Sequence, residues 1–275
     1  MAFPPHPKGR SLHAIDTMNE KKETSWKHVD KWYDKLVAKE GHYYHQEVIF
    51  PHLFKWITIN DVTSILDIAC GQGVLARQIP PHACYYGLDA AAPLIEKAKQ
   101  YDKNKNHNFI IQDVTEPFTL KKNDFSYATI ILAMQNIAEP LKVLKNIHRH
   151  LDTSGKLLIV LNHPCFRIPR QTSWEIDQKK KLQYRRVDSY MSSLEIPILM
   201  QPGQKSASTK TYSYHFSLTQ ISAFLRKAGF AISRLEEWCS NKTSEGGAAK
   251  MENRARNEFP LFLAIEAIPM SAGLE

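Results

Sequence analysis

Between residues 64 and 162, short apolar runs alternate with amphipathic ones, and this alternation constrains the fold more than any other feature of the chain. The runs 64–69, 84–89, 108–113, 126–133 and 156–162 read as strands, with helices expected over 73–79, 92–101 and 140–150. The helix over 92–101 has Pro93 in its first turn and Leu94, Ile95, Ala98 and Tyr101 on one face. The helix over 140–150 opens on Pro140 and carries Leu141, Leu144, Ile147 and Leu151 as its stripe. The runs ATIILA and KLLIVL are apolar on both faces, as strands covered on both sides must be. Parallel strands need crossover connections, so the expected class is α/β with a doubly wound parallel sheet.

The flanks follow other rules. Residues 1–24 read as a flexible polar tail with no hydrophobic core of a signal peptide. Trp26, Val29, Trp32 and Leu36 predict an amphipathic helix over 25–39, and an aromatic-rich helical stretch over 43–58 is interrupted or restarted at Pro51. After Asn162 the periodicity dissolves until residue 214, and so long an interruption in a compact domain is usually functional or has a small structure of its own. Order returns at Ser217, whose spacing to Gln220 makes a capping box, with Phe216 and Ile221 as the hydrophobic staple. That helix stops at Gly229; a strand-like run (230–238), a polar loop (240–257) and a last strand-like run (259–268) follow.

At 275 residues and 43% hydrophobic, the chain can bury a core for one large domain or a domain with a cap. Its apolar runs fall far below the ~18 residues a membrane helix needs, and a cytoplasmic location is expected. Cys70, Cys84, Cys165 and Cys239 include no C-x-x-C pair, so free thiols are expected and no metal site. Of the net charge of +8, +5 lies in residues 163–214. Such a segment could attract an anionic substrate or RNA, and a solvated basic loop is the plainer alternative.

Chemistry concentrates at ILDIACGQGVLAR. Gly71-Gln72-Gly73-Val74-Leu75-Ala76 satisfies G-x-G-x-x-G/A, which alone admits either a dinucleotide or S-adenosylmethionine. Three acids separate the two. Asp67, just before the glycines, repels a pyrophosphate but can accept bonds, directly or through water, from an α-ammonium group. Asp89, ending the second strand, can take both ribose hydroxyls; Asp113, ending the third, can accept from an adenine amino group. An amine, a ribose and an adenine without a phosphate describe S-adenosylmethionine. Plainer roles exist for each: Asp67 as a loop cap, Asp89 as a helix N-cap, Asp113 as a turn residue.

From Ile65 to Ile268 the chain resembles the class I S-adenosylmethionine-dependent methyltransferases that act on small molecules. LDIACGQG is similar to their first motif, with Ala69 where glycine is usual; the replacement is mild unless the backbone there needs a positive φ. GLD, QDV and ATIILAMQNIAEP match later motifs in order, and the two last strand-like runs resemble the family's sixth strand and antiparallel seventh. The resemblance implies a seven-stranded, mostly parallel Rossmann-like sheet over 61–275, a helical lid over 25–60 and a substrate cap formed by the insertion 163–214. It implies S-adenosyl-L-methionine contacts from Asp67, Ala69, Cys70, Gly71, Gly73, Asp89, Ala90, Asp113, Val114, Ala133, Met134 and Gln135, with Tyr33 reaching in from the lid. Tyr44, His45, Arg167, Arg170 and Trp174 are the expected acceptor contacts, with Tyr184, Arg185 and Arg186 as further candidates. His163, after the fifth strand, is the candidate general base if the acceptor is a hydroxyl or a protonated amine. The segment NHPCF differs from the N-P-P-[YF] of adenine and glutamine N-methyltransferases in strand and in sequence. Lid plus insertion favour a small-molecule acceptor. The basic segment leaves an RNA or protein acceptor as the alternative, and a non-catalytic S-adenosylmethionine-binding regulator is the third reading.

Overall fold

The computed structural model describes residues 41–199 and 210–271. The expected 25–39 helix, the tail and Tyr33 lie outside the described residues. Five strands form the parallel core: β1 (Ser64–Ile68), β2 (Cys84–Asp89), β3 (His107–Ile111), β4 (Phe125–Ile131) and β5 (Leu151–Asn162). With β10 (Phe230–Trp238) and β11 (Phe262–Pro269) they make one seven-stranded sheet in the order β10-β11-β5-β4-β1-β2-β3. Only β11 runs antiparallel to its neighbours, β5 and β10. The chain winds outward from β1 to β3, then returns to the other side of β1 with β4, and this reversal opens a crevice beyond the carboxyl ends of β1 and β4.

Each face of the sheet carries its own core. Leu66, Ile68, Leu88 and Ile130 pack on one side with Leu144 and Ile147 of the helix Pro140–His148. Ile65, Tyr85, Leu158 and Val160 pack on the other with Ile95 and Ala98 of the helix Ala92–Tyr101. Alternate residues of β1 therefore serve different cores, and all five are buried. Burial on both faces is why these strands show no polar alternation.

Ser217 caps the helix Leu218–Lys227 as its spacing predicts: Gln220 N–H donates to Ser217 Oγ (3.4 Å), and Ser217 N–H donates to Gln220 Oε1 (2.9 Å). Gly229 closes that helix at φ +88°. Over 43–58, a π-helical turn at His45–Ile49 runs into one α-turn at Phe50–Leu53. Pro51 has no N–H to return to Glu47, and Phe50 N–H instead reaches back to His45 O.

Three expectations are corrected, and the small structure expected in the insertion takes a definite form. The helix expected over 73–79 is a series of turns ending in a 3-10 turn at Ala76–Gln78, because Gly71 (φ +56°) and Gly73 (φ +71°) are left-handed and Pro80 follows. β5 begins at Leu151, five residues early, and absorbs an irregularity opposite Phe125–Tyr127. The aperiodic 163–214 segment contains two hairpins, β6 (Thr172–Asp177) with β7 (Leu182–Val187), and β8 (Leu194–Leu199) with β9 (Lys210–His215). The polar loop over 240–257 holds a helix, Ala249–Glu258, which buries only Ala255 and so shows no apolar stripe. Among the described residues, no helix is long and apolar enough to cross a membrane.

Candidate active site

The loop after β1 reverses through three left-handed residues, Ala69 (φ +54°), Gly71 and Gly73. A Cβ on Gly73 would meet Phe109 of β3 at 2.8 Å and Ala98 at 3.2 Å, so the glycine lets the turn lie flat against its neighbours. Asp89, at the tip of β2, holds this turn: Oδ2 accepts from Gly71 N–H (2.9 Å) and Oδ1 from Ala91 N–H (2.8 Å). Burial pushes its carboxyl above the ordinary range, against the pull of those two donors.

Asp67 is placed differently from expectation. Its carboxylate lies inside the sheet, 3% exposed, where Tyr85 Oη donates to Oδ2 (2.5 Å) and Thr129 Oγ1 to Oδ1 (2.7 Å). Burial raises its pKa to about 6. Both oxygens serve side chains of β2 and β4, so Asp67 acts from beneath the loop and contributes a field there. Asp113 is exposed just past β3, with Oδ1 accepting from Thr115 N–H (3.0 Å) and Oγ1 (2.6 Å). Val114 is buried in the core, and its carbonyl takes the Asn146 Nδ2 donor. Burial, then the charges of Asp67 and Asp89, push the Cys70 thiol well up, so it is not a ready nucleophile.

Beyond β4 the chain is strained again. Leu132 stands at φ +52°, a conformation costly for a branched side chain, and its N–H donates to Val160 O (2.7 Å). A 3-10 turn at Met134–Asn136 follows, in which Gln135 Nε2 donates to Leu132 O (2.8 Å). The buried Gln135 Oε1 has no hydrogen-bond partner among the described residues. This turn opens a cleft with about 440 Å³ of empty space, part of it open to solvent. Met134 and Gln135 line it from this turn, Leu161 to Pro164 and Arg167 to Pro169 from the end of β5 and the chain after it, and Ser213 to Phe216 with Ile221 from β9 and the helix that follows.

His163 lines the cleft but is not free to act as a base. Cys165 N–H donates to its Nδ1 (3.2 Å), which leaves the proton on Nε2, and Nε2 donates to Glu237 Oε1 (2.6 Å). The ring is 1% exposed, and burial lowers its pKa. Both nitrogens are committed to holding the turn after β5 against β10. Arg170 is exposed at φ +62° and outside the cleft. Trp174 also faces elsewhere, packing edge-on to Phe259 (5.5 Å) under the guanidinium of Arg185 (5.2 Å). Only Arg167 of the expected acceptor contacts lines the cleft itself. Tyr44 stands near it, edge-on to Phe262 and with Oη 3.2 Å from Ser240 Oγ. Burial lowers the pKa of His45 to about 4, so its ring is neutral at pH 7.

The wall supplied by β9 was invisible in the sequence. Thr211, Ser213 and His215 are its buried positions, so the polar side of the strand faces inward and the expected pattern is inverted.

Residues 59–191 match the family model described as a methyltransferase domain. This stretch of the chain is a methyltransferase domain. The demethylmenaquinone methyltransferase of Staphylococcus haemolyticus is 25% identical over 179 residues, covering 62% of this chain and 71% of that protein. An S-adenosylmethionine-dependent methyltransferase from Mesorhizobium loti shares the fold of this methyltransferase, with a TM-score of 0.63 at 21% identity, covering 82% of this chain and 99% of that one. A glycopeptide N-methyltransferase in complex with S-adenosylmethionine also shares the fold, with a TM-score of 0.54 at 13% identity, covering 81% and 92%. The site of this methyltransferase suits that cofactor: the left-handed loop, the Asp89 carboxylate at the β2 tip and the unpartnered Gln135 Oε1 are acceptors and close-approach surfaces for a cationic nucleoside.

Proposed function

We propose that this methyltransferase transfers the methyl group to a small-molecule acceptor held in the cleft beyond β4 and β5. The observation that carries this reading is the cleft itself: mostly apolar, walled by the turn after β5 and by β9, and opening on the turn after β4. The S. haemolyticus relative, named for demethylmenaquinone, also takes a small molecule. In this reading Asp89 turns a carboxylate oxygen to the ribose, Gly71 and Gly73 let the nucleoside approach, and Asp113 lies at the adenine side. Ala69, Cys70, Ala90, Ala133 and Met134 line the cofactor through backbone. The helical stretch 41–57 closes over the loop, where a Cβ on Gly41 would meet Val74 at 2.6 Å.

S-adenosylmethionine, when bound, supplies an activated methyl group on a sulfonium. The protein's part is to align donor and acceptor and exclude water, which can supply ~7–11 kcal/mol of the barrier. The thiol chemistry of the chain supports a cytoplasmic location. An RNA or protein acceptor is less favoured, because part of the basic insertion is paired within itself: Arg186 meets Glu175 (3.5 Å) and Asp188 (2.9 Å), and Lys180 meets Asp177 (3.7 Å).

Calorimetric titration with S-adenosylhomocysteine tests the reading, repeated on Asp89→Ala, together with a labelled-donor methylation screen of metabolite extracts. Binding to the wild type, at least tenfold weaker binding to the variant (about 1.4 kcal/mol) and labelled small products are expected. Unchanged affinity in Asp89→Ala would falsify the ribose assignment.

A further inference from the structure

The cleft joins an apolar lining to one cation. Ile168, Pro169, Phe216 and Ile221 give it surfaces for a ring, and Arg167 is the charged residue among those that line it. Arg167 is half-buried, and among the described residues no carboxylate or hydrogen-bond acceptor engages its guanidinium. Burial pulls its pKa down from the ordinary arginine value, and the nearby Tyr44 phenol pulls weakly the other way. Burial, and then the positive charge of Arg167, in turn lowers the pKa of the neighbouring Arg185. Glu237, the acid that reaches the cleft wall, is already held by His163.

Arg167 is also well positioned. Its N–H donates to His163 O (2.8 Å), in the first turn after β5. Arg185 Nε donates to the carbonyl of the preceding residue, Phe166 (2.7 Å), and so fixes the chain from the hairpin side. A half-buried cation without a counter-ion is unfavourable in the free protein, and an incoming oxyanion removes that penalty while gaining a charge-assisted hydrogen bond.

We propose that Arg167 recognises a negative charge on the methyl acceptor, which is an apolar, ring-sized molecule bearing one anionic oxygen group. The inference rests on the methyl-transfer reading of the cleft. It accounts for two features together. Arg167 lacks a partner because the substrate supplies it, and His163 can be locked in structure because the anionic oxygen is itself the nucleophile: it bonds to the methyl carbon as the C–S bond breaks, the electron pair leaves on the sulfur of neutral S-adenosylhomocysteine, and no proton has to be removed. Residues 69–73 and Asp89 do not line this cleft, which meets the cofactor's surroundings at Met134 and Gln135; Arg167 is assigned to the acceptor, and the cofactor carboxylate is the alternative that the test separates.

The test uses a neutral and an anionic probe of one shape. 2-Naphthoate and 2-naphthamide are titrated calorimetrically into the full chain saturated with S-adenosylhomocysteine, as wild type, Arg167→Gln and Arg167→Lys. The wild type is expected to bind naphthoate about tenfold or more tightly than naphthamide. Arg167→Gln should abolish the difference while leaving naphthamide and S-adenosylhomocysteine binding within about twofold, which also shows that the variant is folded; Arg167→Lys should restore part of the preference. Equal binding of the two probes to the wild type, no naphthoate binding, or a preference surviving in Arg167→Gln overturns the assignment. So does selective loss of S-adenosylhomocysteine binding in Arg167→Gln, which would assign the guanidinium to the cofactor carboxylate. Failure of S-adenosylhomocysteine to bind the wild type is distinct from these, because it removes the methyl-transfer reading and this inference with it.

Discussion

Ala69 stands in a left-handed conformation that glycine adopts without strain, with a φ of +54°. An L-residue there is strained by roughly 1–2 kcal/mol. Ala69→Gly should therefore stabilise the protein by about 1 kcal/mol after the extra unfolded-state entropy of glycine is subtracted, read as a higher denaturation midpoint. Asp67 makes a second residue-scale prediction. The folded protein keeps this carboxyl protonated up to about pH 6, whereas the unfolded chain releases the proton near 3.8. Its contribution to stability is full below pH 4, falls between about 4 and 6 and is flat above, by about 3 kcal/mol in all. His45, lowered to about 4 by burial, works in the opposite sense, its contribution growing with pH across about 4 to 6.5. The difference between Asp67→Asn and wild type isolates the first effect. Denaturation from pH 4 to 8 should show the variant gaining on the wild type up to pH 6, and a flat difference would place Asp67 in a solvated site. The three acids were legible at their strand tips, but what surrounds each was not. The Tyr85 and Thr129 hydroxyls that engage Asp67 come from strands 18 and 62 residues away.

Elements were legible where burial follows the simple rule of apolar inward. β1 to β4 and the helices over 92–101 and 140–148 follow it, and the class of fold was readable from them. The cap was not, because β9 buries Thr211, Ser213 and His215, and His215 Nε2 donates to Tyr190 O (2.6 Å) in place of an apolar contact. The helix Ala249–Glu258 fails the rule in another way, since it lies on the surface with Ala255 as its only buried residue. Local chemistry remained readable even there. Ser217→Ala removes one half of the capping box and should cost about 1 kcal/mol, with a fall of a few degrees in Tm. Gly73→Ala combines a positive φ with contacts at 2.8 Å and 3.2 Å to Phe109 and Ala98. It should destabilise by more than about 1 kcal/mol and weaken S-adenosylhomocysteine binding together, because the turn must move off β3.

At the scale of the molecule, two strained residues meet at one end of the sheet. Ala69 and Leu132 end β1 and β4 in left-handed conformations, on either side of the point where the strand order reverses. Both cores hold the strands behind them, so the strain is borne where the site is built. Charge is distributed by a different logic. In the β6–β7 hairpin Arg186 faces Glu175 and Asp188 and Lys180 faces Asp177, while Lys179, Lys180 and Lys181 are exposed at its tip. A nucleic-acid track requires unpaired cations in a row with aromatic platforms between them, whereas here Trp174 is covered by Arg185 and Phe259. Random-sequence RNA, followed by fluorescence anisotropy, should accordingly bind no better than the non-specific range of ~10⁻⁴–10⁻⁶ M at physiological salt. Replacing Lys179, Lys180 and Lys181 together by glutamine should change S-adenosylhomocysteine binding less than about twofold, since tip charges across solvent are screened within ~8 Å. Nanomolar RNA binding that the triple variant abolishes would instead make the hairpin the acceptor's docking element and the cleft a passage for a single base.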